Sequence, residues 1–156
     1  MKKQIKVIRD LSLVEKELNS TLGGVVSISI KKEGFAQFAT NFVYQNKNIF
    51  FYLDNEELLR TIKLDALAKF TVLSEKNVTK ELLDLKEPLY RLFSVVVTGV
   101  FRKAEEKKTI NSVAQSFIEK YSGKLIREEN GSNLSSSEKL FFVDSEELLA
   151  YDEIGY

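Results

Sequence analysis

The segment Tyr90–Arg102 constrains this chain more than any other, because within it LFSVVVTGVF holds almost no good helix former apart from Leu92. β-Branched and aromatic side chains pack well on a pleated surface and lose rotamer freedom in a helix, so the run specifies a long strand. We place it at the centre of a sheet, which requires other strands to flank it.

Those strands are readable on both sides. Val25–Ile30 is rich in β-branched residues and precedes a turn at Lys31–Gly34, which predicts a hairpin with Phe35–Tyr44. In Phe35–Tyr44 aromatic and small residues mix on both faces, as in a barrel strand covered by protein on one side and by a ligand or subunit on the other. A turn at Gln45–Asn48 leads to a strand at Ile49–Leu53, and another strand follows at Ala68–Leu73. Lys139–Val143 is a late strand, followed by a turn at Ser145–Leu149 and a C-terminal AYDEIGY that closes the sheet.

Helices are interspersed. Ser12 with Glu15, and Asp54 with Glu57, have capping-box spacing. The first opens a helix over 12–21, with Leu13, Val14, Leu18 and Leu22 at helical spacing and Gly23 and Gly24 ending it. The second turns Leu58, Leu59 and Ile62 toward the barrel, and carries Arg60 and Lys63 on a shared face at its rim. From Glu105 to Tyr121, Ile110, Val113, Ala114, Phe117, Ile118 and Tyr121 form a packing stripe. Val78, Leu82, Leu83 and Leu85 predict a short helix ended by Pro88, and REENGSNLSSSE a polar loop. Helices set among antiparallel strands, without regular β-α alternation, indicate an α+β, mainly β barrel of six or seven strands with flanking helices.

Composition narrows the chemistry. A chain of 156 residues, 44% hydrophobic, is expected to form a single domain over 1–156 that buries roughly two-thirds of its unfolded surface. The 23 basic and 23 acidic residues cancel, so no net field draws it to nucleic acid, and any anion site must be local. With neither Cys nor His, the chain has no disulfide, no Ser-His-Asp or Cys-His nucleophile and no zinc site built on those ligands. A cysteine-free sequence with no signal-like segment, and no run near the ~18 apolar residues of a membrane span, is expected to be soluble and cytoplasmic.

Three patterns in a fixed order then carry a resemblance. They are GFAQFATNFVY followed by NIFFYL, the stretch NEELLRTIKLDALAKFTVL, and YRLFSVVVTGVFRKAEE leading into a helix that ends in EKY. Over about Leu22–Tyr121 the chain resembles the FMN-binding split barrels related to pyridoxamine 5'-phosphate oxidase, and among them the haem-utilisation branch. The resemblance implies a Greek-key split barrel that forms a homodimer, with FMN in a groove at the subunit interface. It places the phosphate on Asn55, Arg60 and Lys63, the flavin ring beside Tyr52, Ala39, Thr40 and Asn41, and a polar contact at Ser94. A guanidinium fork and an ammonium suit a phosphate dianion, although two such side chains on a helix also commonly do no more than solvate it.

Departures from the family pattern limit what else it implies. Without His there is no Arg-x-His substrate pair and no C-terminal haem-iron ligand, and Arg60 stands where a His is frequent in the haem-utilisation branch. The expectation is an FMN-dependent oxidoreductase acting on a small substrate. The alternative is a non-catalytic split-barrel module that holds flavin, haem or another small anion.

Overall fold

The structure, a computed structural model, describes residues 2–78, 88–122 and 140–156. Most of the helix expected around Val78–Leu85, and all of the polar loop at 127–138, lie outside the described residues. The elements run β1 (Lys3–Ile8), α1 (Leu11–Ser20), β2 (Gly23–Ser29), β3 (Phe35–Asn41), β4 (Val43–Gln45), β5 (Asn48–Tyr52), α2 (Glu56–Thr61), β6 (Leu67–Glu75), β7 (Tyr90–Lys103), α3 (Lys107–Tyr121) and β8 (Leu140–Gly155).

The strands form one antiparallel sheet in the order β3-β2-β6-β7-β8-β5-β4, with β1 also on β8. Strand β7 is central, as its composition predicts: it pairs with β6 through Leu92–Val100 and with β8 along its whole length. Strand β8 uses its other edge twice, for β5 at Leu140–Val143 and for β1 at Ala150–Gly155. A bulge between Thr98 and Gly99 leaves Glu146 of β8 unpaired and bends the sheet there.

Alternation sets the two faces of the sheet. Phe93, Val95, Val97 and Phe101 of β7 point inward with Val26, Ile28, Ala68, Phe70 and Val72, and α1 adds Val14 and Leu18 to this core. Strand β5 is covered on both faces, which explains the unbroken apolar run IFFY. Ile49 and Phe51 enter the main core, whereas Phe50 and Tyr52 pack under α3 with Val113, Phe117 and Tyr121.

Several sequence expectations are corrected. The stretch Ser145–Leu149 is not a turn but the middle of β8, because Val96 and Val97 pair there with Leu149 and Leu148. The cap of α1 is Asp10, which accepts from the Ser12 amide at 3.0 Å, and that of α2 is Asn55, which accepts from Leu58 at 3.0 Å. In each case a nearby Asx side chain displaces the capping box expected from Ser12 or Asp54. Phe35–Tyr44 is two strands, since the Phe42 amide turns to the Tyr121 hydroxyl and the Phe42 carbonyl accepts from Lys120 and Tyr121 of α3. The N-terminal strand β1, with Ile5 and Val7 largely exposed, was not anticipated. Ile118 leaves the α3 stripe and is 38% exposed.

Helix α2 is also shorter than the sequence suggests. It ends at Thr61 with Ile62 extended as its C-cap, so Lys63 lies beyond the helix and does not share a helical face with Arg60. Residues 61–63 run beside the end of β2, where Lys31 donates to the Thr61 carbonyl and Lys63 donates to Ser29, each at 2.8 Å.

Candidate functional site

The sheet face turned away from the core carries an open concavity. Register places Ala39, Val25, Thr71, Val96 and Leu149 in one row across five strands on this outer face. Val25 is 40% exposed and Leu73 is 62% exposed, and Phe35 and Leu67 continue the apolar surface. At its β2–β3 end lies an open groove of 810 Å³ lined by Gly23, Gly24, Val25, Gln37, Ala39, Thr40, Asn41, Thr71 and Leu73. That volume is within the range of small-molecule sites.

The two glycines shape the groove for different reasons. A side chain on Gly24 would run into the Phe70 ring and sit 2.8 Å from the Thr71 carbonyl, so β2 can approach β6 only without one. Gly23 has room for a Cβ, which would lie 3.6 Å from the Thr40 carbonyl. Its missing side chain therefore leaves bare backbone at the groove wall, against which a flat ligand can lie. Gln37, Asn41 and Thr71 supply amide and hydroxyl groups around this apolar floor, and among the described residues no titratable side chain lines it.

The residues singled out in the sequence fall into separate places. Ala39, Thr40 and Asn41 line the groove together, and Ser94 is one strand further on, opposite Leu73 in the β6–β7 register. Tyr52 also faces away from the main core but lies on β5 under α3, and it does not line the groove. Its ring lies 5.0 Å from that of Phe117, and burial pushes its hydroxyl up to about 12. Asn55 lines a smaller cleft of 260 Å³ with Glu57, Leu58 and Thr61. Arg60 is 80% exposed in its side chain and meets Glu56 at 3.7 Å, while Lys63 is exposed, and neither lines the groove.

Sequence reading missed Gly23, Gly24, Gln37 and Thr71, and also Lys69. Lys69 shares the outer face two residues from Thr71 and pairs with Ser27, itself opposite Gln37. It is thus the cation one row from the groove wall. The available signal was the alternation of β6, in which Lys69, Thr71 and Leu73 occupy the face opposite Ala68, Phe70 and Val72.

A continuous antiparallel sheet curled around a Phe-rich core, with three helices among the described residues, settles the architecture. The chain has the split β-barrel fold. The split barrel is shared with solved structures of low sequence identity. A candidate 5-nitroimidazole antibiotic resistance protein from Bacteroides thetaiotaomicron is 14% identical with a TM-score of 0.70, over 99% of this chain and 90% of that one. An FAD binding protein from Mycobacterium smegmatis is 14% identical with a TM-score of 0.64, over 93% and 95%. The heme storage protein HutZ from Vibrio cholerae is 12% identical with a TM-score of 0.63, over 91% and 94%. No protein-family model and no curated protein matches the sequence.

Proposed function

We propose that this split barrel is a flavin-binding protein with FMN as its cofactor, that it acts as a homodimer, and that it is an oxidoreductase for a small substrate. The observation that carries the reading is the glycine-walled groove opening beside an exposed apolar row. A second copy laid over that row would remove the apolar surface from water and give the groove its missing wall. The fold shared with flavin-binding proteins supports the same ligand class.

The lining residues fit the ring of a flavin better than its phosphate. Backbone at Gly23, the methyl of Ala39 and the amides of Gln37 and Asn41 match a flat heterocycle with polar edges, but among the described residues no cation lines the groove. The phosphate falls to Lys69 at the rim, or to Arg60 and Lys63 if the ligand extends beyond the groove or a second subunit brings them to it. Bound flavin supplies two-electron redox chemistry, and the protein supplies placement and exclusion of water.

A non-catalytic carrier is the second reading, favoured by a groove that, among the described residues, is lined by no titratable side chain. Addition of NADH or NADPH to flavin-loaded protein separates the two: bleaching supports the oxidoreductase, and persistent yellow supports the carrier. The site itself is tested by fluorescence titration of FMN into cofactor-free protein. Gly23→Val should fold normally and abolish binding by filling the groove. Lys69→Ala should weaken binding, as should the pair Arg60→Ala and Lys63→Ala, if each removes a charged hydrogen bond worth about 1.5–3 kcal/mol. Unchanged affinity in Gly23→Val removes the groove from consideration, and unchanged affinity in a cation variant removes that cation.

A further inference from the structure

Strand β1 stands apart from the rest of the sheet. Lys3–Val7 are exposed on both faces of the strand, so in the single chain these residues cover no core. Ile5 and Val7 nevertheless alternate with Gln4 and Lys6, which gives the strand one apolar face. Register fixes where that face lies. Val7 pairs with Tyr151, Tyr151 with Ser94, and Ser94 with Leu73, which lines the groove. One row of the outer face therefore begins at an apolar strip on β1 and ends in the groove.

Across this uncovered part of the sheet the strand order is β3-β2-β6-β7-β8-β1, with the groove at one end and the β1 strip at the other. Packed sheets keep their strands within about 30° of each other, and a closed pair of identical chains is related by a two-fold axis. An axis lying in the interface, along the strands and between β6 and β7, overlaps all of these strands and turns the sheet end for end. The partner's β8 then lies over β2, and the partner's β1 over β3. In matching rows, the partner's Tyr151 meets Gly23, the partner's Leu149 meets Val25, and the partner's Val7 meets Asn41. Lys69 also gains a carboxylate: the partner's Glu147 comes into its row one strand away, because Lys69 and Glu147, both exposed, flank Thr98 in the sheet. An axis across the strands would instead lay groove on groove, joining two hollows of 810 Å³ with nothing to fill them.

Resting on the homodimer reading above, we propose that the groove is a composite site, closed by β1 and β8 of the second copy, with the partner's Tyr151 as its aromatic wall. Bare backbone at Gly23 holds one side of a flat ligand and the tyrosine ring holds the other. The same contact buries Val7, which gives the exposed strand β1 its purpose.

The chain has no cysteine, so introduced thiols are the only ones present. Asn41→Cys and Val7→Cys, at exposed positions on the two outermost strands of the face, are made singly and together in the full chain. Each protein is treated at micromolar concentration, without flavin, with a bismaleimide that spans packed sheets about 10 Å apart. The double variant should become a covalent dimer on a denaturing gel, with peptide mass mapping placing the link between positions 7 and 41, and neither single variant should do so. A covalent dimer from Asn41→Cys alone, as groove-on-groove packing requires, overturns the proposal, and so does a double variant without the 7-to-41 link. FMN titration separates this inference from the reading it rests on. Tyr151→Leu keeps apolar bulk but removes the ring, and should weaken FMN about threefold or more at unchanged dimer mass. If wild type and Tyr151→Leu bind FMN equally, the tyrosine wall is overturned while the flavin reading stands. If the link forms and wild type binds no FMN, the composite groove is upheld and flavin is overturned as its ligand.

Discussion

Glu153 on β8 is held from two sides, by the Tyr90 hydroxyl of β7 at 2.7 Å and by the Lys3 ammonium of β1 at 2.9 Å. These partners, Tyr90 first, hold its carboxyl below the usual range, and Glu153 in turn raises Lys3. A depressed carboxylate stabilises the fold above its unfolded pKa and loses that contribution as pH falls through its folded value. Lys3 has the opposite sign: its contribution is complete below the unfolded lysine pKa and disappears as pH rises through the raised one. Strand β1 should therefore loosen at both pH extremes. The protection factors of the Lys3–Ile8 amides, taken relative to intrinsic exchange at each pH, should fall as pH falls through the carboxylate range, and Glu153→Gln should flatten that acid response. A β1 protection profile that Glu153→Gln leaves unchanged would show that other groups govern its docking.

Helix α3 is fastened to the sheet through backbone that the sheet does not use. The Tyr121 hydroxyl accepts from the Phe42 amide at 3.1 Å and lies 2.6 Å from the Leu22 carbonyl and 2.9 Å from that of Phe42. Tyr121→Phe should cost about 1–3 kcal/mol in chemical denaturation, because it leaves the buried Phe42 amide without its partner. The bulge makes a separate demand. A Cβ on Gly99 would collide with the Asp144 carbonyl and come within 2.9 Å of the Ser145 Cα, so Gly99→Ala forces β7 and β8 apart. The expected loss is about 3 kcal/mol, larger than for exposed positions on the same strands, and denaturation midpoints measure it. At this scale the sequence was informative where periodicity was local, as in β7 and in Ile110, Val113, Phe117 and Tyr121 of α3. It misled at Phe42, where two side chains of α3, 78 and 79 residues away, replace the expected ladder bonds.

For the whole molecule the outer sheet face is the decisive surface. Leu73, Val25, Leu67 and Phe35 are apolar and exposed in the single chain, an arrangement that costs free energy in water unless something covers it. If a second copy does so, light scattering at micromolar concentration should give about twice 17.9 kDa, and Leu73→Glu should return the mass to that of one chain. The same variant should release FMN if the groove lies at the subunit boundary. A monomeric wild-type protein that holds flavin would separate the groove from any dimer.

The order of residues was sufficient to specify the strongest strands, the helical stripes and the small polar segment Ala39–Asn41, because each depends on neighbours within a few positions and on alternation or 3.6-residue spacing. It also made Arg60 and Lys63 visible as cations. Only the tertiary structure decided that Lys63 leaves the helix, that Gly23 bares a groove wall, that Lys69 faces the same surface, and that Lys120 of α3 takes the Phe42 carbonyl. Those facts depend on strand register and on a helix packing against residues far away in sequence, and neither register nor long-range packing is encoded in local periodicity.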